Sequence, residues 1–168
     1  MKKGIYPFLF WTMLIFYLFL LIDLLFLSRG TYRNVNLIPF ETIRSYIHVD
    51  DGIRTKWVDV NVWGNILMFV PAGIYLMIIK GKAIKTFLII CGMSLGAEII
   101  QYIFAIGASD IDDLILNSLG GLIGILIYLV LEKMFKSGHQ IRKLITVASA
   151  LVGIPILCIS ILATITNW

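Results

Sequence analysis

Charged residues are scarce in this chain of 168 residues. They make up 14% of it, whereas soluble domains carry roughly a quarter. Because 60% of the residues are apolar, the composition excludes an ordinary soluble domain and also a disordered chain. The two cysteines exclude a disulfide scaffold and a multi-cysteine metal module. The sequence also lacks an H-E-x-x-H motif, a phosphate-binding P-loop and a nucleophile elbow, so the corresponding enzyme classes are not indicated.

What the chain has instead is five long apolar stretches of 18 to 23 residues each. A helix rises about 1.5 Å per residue, so each stretch can cross a hydrocarbon core of about 30 Å. Only two charged residues, Asp23 and Glu98, lie inside a stretch. We therefore expect an all-α, polytopic helix bundle in the cell membrane, with a single membrane domain over residues 1–168. The predicted spans are Ile5–Leu27, Val60–Ile79, Thr86–Ile106, Leu114–Leu131 and Leu144–Thr166.

The basic residues are distributed unevenly over the flanks of these spans. The N-terminus and the loops after spans two and four together hold nine lysines and arginines. The loop after span three and the C-terminus hold none, and the long loop of residues 28–59 holds five. Since short basic flanks face the cytoplasm, we predict that the N-terminus is inside and the C-terminus outside. The net charge of +4 then reports topology, and no nucleic-acid partner is expected.

The long outer loop contains a helical pattern that begins at Pro39. Proline suits the first turn of a helix, because its missing N–H has no partner there in any case. After it, Phe40, Ile43 and Ile47 share one face. We expect a short helix that either lies in the outer headgroup layer or packs on the bundle as a lid.

Polar side chains on four spans converge at one predicted depth, in the outer half of the membrane. A carboxylate inside a membrane is costly and marks a candidate site. Glu98 is expected about 12 Å deep, where no lysine or arginine is predicted, so it should carry a proton or be neutralised by a cation. The candidate ligand-binding residues are Asn65, Glu98, Gln101, Asp113 and Asn117, with Asp23, Asn61 and Asp110 as secondary candidates.

Structural interpretations of the same residues stay open. Amides such as Asn65 and Gln101 can simply join helices by hydrogen bonds. Asp112 can cap the start of span four. Glu98 and Asp113 could together hold a divalent cation through oxygen ligands, but nothing in the pattern demands a metal, and no cofactor is expected.

Two pairs of glycines at i,i+4 spacing predict close approach of the helices that carry them. Gly92 and Gly96 lie on span three, and Gly120 and Gly124 lie on span four. Small residues at this spacing let membrane helices touch backbone to backbone. Asn117 shares a face with the second pair, so its side chain is expected to point into the bundle.

The order and spacing of the polar and glycine positions resemble those of the VanZ-like family. The resemblance covers about residues 36–131. One departure is visible at Ala108 and Ser109, where many members of that family carry an arginine. The matching motifs are Asn36-Leu-x-Pro39-Phe40, Gly64-Asn65 with Phe69-x-Pro71-x-Gly73, Glu98-x-x-Gln101, and Asp110-Ile-x-Asp113 with Asn117-x-x-Gly120-Gly121-x-x-Gly124.

The resemblance implies a protein of the Gram-positive cell envelope with an accessory part in low-level teicoplanin resistance. The recurring polar positions of the family fall on Asn65, Glu98, Gln101, Asp113 and Asn117, the residues that the depth argument selects. The leading hypothesis is a factor that meets a lipoglycopeptide or a lipid-linked wall precursor in the outer leaflet, and that loses its effect in Glu98→Gln.

Two other functions are weaker hypotheses. One is a membrane enzyme acting on a lipid-linked envelope precursor, in which Glu98 and Asp113 supply acid–base chemistry or bind a metal ion. The absence of an evident nucleophile counts against it. The other is a small transporter or a partner subunit, for which the sequence shows no inverted repeat.

Overall fold

The computed structural model describes residues 5–47, 49–50, 55–56, 60–135 and 137–166. Within these ranges, five helices are long and apolar enough to cross a membrane, as the sequence predicts. The first, α1, continues into a π-helical turn over Asp23–Leu27. The helices that could span are α1 (Ile5–Ile22), α3 (Val60–Lys80), α4 (Ala83–Phe104), α5 (Ile111–Met134) and α6 (Gly138–Thr166), and a short helix α2 (Glu41–Ile47) lies in the first long loop.

The chain divides into two compact units, of which the first combines residues 1–22 with residues 131–168. In this unit α1 packs on α6. Gly153 of α6 lies against Phe16, so that any side chain at this position would meet the α1 ring. The guanidinium of Arg142 stacks on the ring of Phe10, 4.1 Å from its centroid, which is a favourable cation–π geometry.

The second unit comprises residues 23–130 and contains α3, α4 and most of α5. A Cβ atom on Gly120 or Gly124 would overlap backbone carbonyl oxygens of α3, so this glycine pair brings α5 into direct backbone contact with α3. Gly92 and Gly96 differ, because the space beside them holds no described atom within 4 Å. Close approach is therefore confirmed for the pair on α5 and is not seen for the pair on α4.

The chain is helical over most of its length, as the sequence predicts, and its described loop residues add two short two-stranded sheets. Strand β1 (Tyr32–Asn36) pairs in parallel with β4 (Ile106–Asp110), and β2 (Val49–Asp50) pairs antiparallel with β3 (Thr55–Lys56). The partners in the first sheet lie about 70 positions apart in sequence, so no local sequence pattern predicts the pairing. It provides hydrogen-bond partners for the backbone of β4, whose residues are buried or half-buried, from the mostly exposed strand β1.

The turn from α4 into β4 depends on two left-handed residues. Ala105 ends α4 with φ 54°, and its N–H donates to carbonyl oxygens of the last helical turn. Gly107 follows with φ 104°, a conformation that side chains rarely adopt. This turn directs β4 back along the helix end, which brings Asp110 beside Glu98.

The short helix predicted in the first long loop is present, but it begins at Glu41, two residues after Pro39. Phe40 precedes it with φ 67°, so the chain turns sharply before the helix starts. Asp112 of α5 accepts the N–H of Phe40, just before α2, and the N–H of Ile43 in its first turn.

Candidate functional site

An open cavity of about 560 Å³ lies in the second unit. Its walls come from the segment after α1, from α2, from the first turns of α3 and from the junction of β4 with α5. Gly30 and Gly64 contribute no side chains, which leaves room in the wall. The polar lining residues are Ser28, Arg29, Thr42, Asn61, Asn65, Asp110 and Asp113.

An ion pair between Asp113 and Arg29 lies in the cavity wall. The distance from Asp113 Oδ2 to Arg29 Nη2 is 3.5 Å, which is at the long end for such a contact. The second carboxylate oxygen, Oδ1, accepts a hydrogen bond from the Asn65 amide of α3. The side chains of Arg29 and Asp113 are 23% and 16% exposed, so both reach the cavity. Three separate elements thus meet at one carboxylate.

Asp110 connects the elements of the cavity wall through hydrogen bonds. Its Oδ1 accepts the N–H of Asp112 at 2.9 Å, so Asp110 is the N-terminal cap of α5. The same carboxylate accepts hydrogen bonds from the Asn36 amide of β1 and the Thr42 hydroxyl of α2. Its backbone N–H donates to Glu98 Oε2 at 2.8 Å. Asp110 therefore joins α5, β1, α2 and α4.

Asp112 caps a different helix from the one that its position in sequence suggests. Its side chain is fully buried, and its two oxygens accept the backbone N–H groups of Phe40 and Ile43, the latter at 2.9 Å. These are the N–H groups that the start of α2 leaves without intrahelical partners. The expectation that Asp112 caps span four is wrong, because Asp110 takes that role and the Asp112 side chain turns toward α2.

Three of the candidate residues are buried and are not among those that line the cavity. Glu98 is 5% exposed, Gln101 is fully buried and Asn117 is 1% exposed. The Gln101 amide donates to the carbonyl oxygen of Leu25 at 2.9 Å, and the Asn117 amide donates to Ser94 Oγ at 3.0 Å. Each of the three keeps one buried oxygen without a described partner. Gln101 and Asn117 thus do what the structural interpretation of such amides predicts.

The family model VanZ/LLP1 matches residues 5–132. The chain belongs to the VanZ/LLP1 family. Protein VanZ of Enterococcus faecium is 33% identical to it over 128 residues, which cover 74% of this chain and 68% of that protein. No solved structure matches the chain significantly.

The polar positions of this VanZ-family chain fall into two groups in space. Asn65 and Asp113 line the cavity, and so do the secondary candidates Asn61 and Asp110. Asp23 is a secondary candidate that does not line it, and its carboxylate accepts a hydrogen bond from the Ser28 hydroxyl at 2.9 Å. Within the described ranges, no three histidine, cysteine, aspartate or glutamate side chains are grouped so that they could hold a metal ion.

Sequence reasoning misses three polar lining residues, Ser28, Arg29 and Thr42. Arg29 is one of several arginines in a long loop, and the sequence gives no reason to bring it to Asp113. The one sequence feature that relates to the position of Arg29 is Gly107, because a Cβ atom there would lie 3.2 Å from Arg29 Cδ. This glycine, which follows the third apolar stretch, therefore makes room for the arginine stem. The sequence predicts the absence of lysine and arginine only at the depth of Glu98, and it names no partner for Asp113, which the structure pairs with Arg29.

Proposed function

We propose that this chain is a multi-pass protein of the bacterial cell membrane that lowers sensitivity to lipoglycopeptide antibiotics such as teicoplanin. The observation that carries the proposal is the open polar cavity, which collects Arg29, Asn65 and Asp113 in a chain of the VanZ/LLP1 family. A cavity of this volume falls in the range of small-molecule sites. Its partner would be the antibiotic or a lipid-linked cell-wall precursor.

The proposed orientation has the N-terminus in the cytoplasm and the C-terminus outside. It rests on the nine basic residues in alternate short flanks. With this orientation, the first turns of α3 and α5 and the whole cavity would lie in the outer half of the membrane. The short helix α2, which contributes Thr42 to the wall, would lie at the outer interface. The site would then be open to molecules that insert an acyl chain into the outer leaflet.

Discrimination between antibiotics follows from that location. Teicoplanin carries an acyl chain and vancomycin does not. An acyl anchor holds the ligand in the membrane leaflet that contains the cavity. The effective concentration of the ligand at the cavity is therefore high. We therefore expect protection against lipidated glycopeptides and little against vancomycin.

The geometry favours binding over the enzyme hypothesis. Acid–base chemistry by Glu98 and Asp113 would need both carboxyl groups at the bound substrate. Asp113 lines the cavity, whereas Glu98 lies behind the wall and accepts the N–H of Asp110. Glu98 thus supports the wall through Asp110, and Asp113 is the residue positioned to contact a ligand.

Antibiotic susceptibility in a sensitive Gram-positive host tests the proposal. Expression of the wild type should reduce sensitivity to teicoplanin and dalbavancin, and Asp113→Asn at equal membrane levels should remove this effect. Glu41→Gln is the matched control, because this exposed carboxylate of α2 does not line the cavity. An unchanged sensitivity, or an equal shift with vancomycin, would contradict the proposal.

A third variant, Glu98→Gln, tests whether Glu98 contacts the ligand or only supports the cavity wall through Asp110. The sequence argument alone predicts that Glu98→Gln abolishes protection. In the structure, a glutamine oxygen can still accept the N–H of Asp110, so the support survives the substitution. We therefore expect Glu98→Gln to protect like the wild type, and loss of protection at normal membrane levels would return Glu98 to the ligand site.

A further inference from the structure

The ion pair in the cavity wall leaves most of the hydrogen-bonding capacity of Arg29 unused. A guanidinium carries five N–H donors. Among the residues that the structure describes, Asp113 is the one acceptor that Arg29 meets, through a single contact of 3.5 Å. Since Arg29 also lines the cavity, its remaining donors are available to a ligand.

The two carboxylates in the wall differ in how many hydrogen bonds they accept from the protein. Asp110 accepts hydrogen bonds from the Asn36 amide, the Thr42 hydroxyl and the Asp112 N–H, and only 7% of the residue is exposed. Asp113 accepts one short bond from Asn65 and the long contact from Arg29. Among the described lining residues, Arg29 and Asp113 are therefore the charged groups with hydrogen-bonding capacity left for a ligand, and they lie side by side, whereas the Asp110 carboxylate is used within the protein.

This arrangement selects against ligands of a single charge. An anion on Arg29 would lie beside the Asp113 carboxylate, and a cation on Asp113 would lie beside the guanidinium, so each would be repelled by the neighbouring group. A ligand that carries both charges a few bonds apart pairs with both. The contact between Arg29 and Asp113 is long, and both side chains are partly exposed to the cavity, so a ligand with both charges can replace it.

On the basis of the proposed binding function, we propose that the cavity binds a zwitterionic group in which an ammonium lies close to a phosphate or carboxylate. The acid group lies on the Arg29 guanidinium, and the ammonium lies on the Asp113 carboxylate. Such a group could belong to the headgroup of an aminophospholipid or to a soluble molecule. The cavity of about 560 Å³ has room for the group together with its neighbouring atoms.

Binding to the purified full-length chain in phosphatidylglycerol nanodiscs tests the proposal directly. The probes are phosphoethanolamine, inorganic phosphate and ethanolamine, which carry both charges, the negative charge and the positive charge respectively. We expect phosphoethanolamine to bind at least about tenfold more tightly than either single-charge probe, because it keeps both charge-assisted contacts. Equal binding of phosphate or of ethanolamine would overturn the zwitterion assignment, and so would the absence of binding by the zwitterion in both free and lipid-borne form.

Two variants assign the charges to the residues. Arg29→Gln and Asp113→Asn should each weaken phosphoethanolamine binding about tenfold. The matched control is Arg33→Gln, since Arg33 is exposed, donates to the carbonyl of Ile103 and does not line the cavity. Unchanged affinity in both cavity variants would overturn the assignment. The probe comparison on the wild type decides the question if a variant does not fold.

A lipid arm identifies the source of the group. Native mass spectrometry of the chain from mixed nanodiscs measures whether phosphatidylethanolamine is retained over phosphatidylglycerol. Selective retention that phosphoethanolamine displaces supports a lipid headgroup, whereas binding of the free probe without lipid retention supports a soluble zwitterion. Antibiotic protection is measured separately in cells. A chain that binds the zwitterion without protecting would refute only the proposed function, and a protecting chain without zwitterion binding would refute only this assignment.

Discussion

Substitution of Asp112 by alanine should release the short helix α2 from the rest of the fold. The carboxylate accepts the N–H groups of Phe40 and Ile43 and is itself fully buried. Hydrogen bonds to a charged group contribute about 1.5–3 kcal/mol each. We use the lower value, because part of the loss is regained when the released N–H groups reach water. Two bonds then correspond to about 3 kcal/mol, or a ~100-fold change in the opening equilibrium of α2.

Hydrogen–deuterium exchange of the amides in residues 41–47 measures that opening in the chain reconstituted in nanodiscs. Asp112→Ala should raise their exchange rate about 100-fold, and Asp112→Asn should raise it about tenfold, since its one oxygen can accept only part of the pattern. Asp23→Asn is the matched control, because that carboxylate bonds Ser28. Protection of α2 at the wild-type level in Asp112→Ala would show that other contacts hold the helix and would refute the reasoning.

Two further predictions concern helix packing and orientation. Gly124→Ala should lower the free energy of unfolding by about 1–3 kcal/mol, measured as a fall in the thermal midpoint, because the new Cβ overlaps the α3 backbone. Gly96→Ala, which faces open space, should change it little, and equal effects would contradict the packing. In a chain without its native cysteines, Glu41→Cys should react with a membrane-impermeant maleimide from outside, and Ser137→Cys only after permeabilisation. The reverse labelling would overturn the proposed orientation.

The sequence predicts the long helices well because each is an uninterrupted apolar stretch. It also selects residues that do meet in space, since Asn65 donates to Asp113 across 48 positions of sequence. What it misses is non-local. The pairing of β1 with β4 joins two five-residue segments that carry no alternating pattern of their own. Arg29 and Asp113 lie 84 positions apart in sequence, and no local pattern predicts their contact.

The buried carboxyl of Glu98 shows that predicted depth in the membrane does not by itself identify a ligand-binding residue. The start of α5 leaves backbone N–H groups without intrahelical partners, and an unpaired N–H away from water costs several kcal/mol. Glu98 Oε2 accepts the N–H of Asp110, so part of the cost of burying the carboxyl is offset by a bond that the backbone needs. A polar residue inside a span can therefore have a structural role, as a hydrogen-bond partner of the backbone. Asp113 differs, because its partners are two side chains at a cavity, and a ligand can replace side chains where it cannot replace a backbone bond.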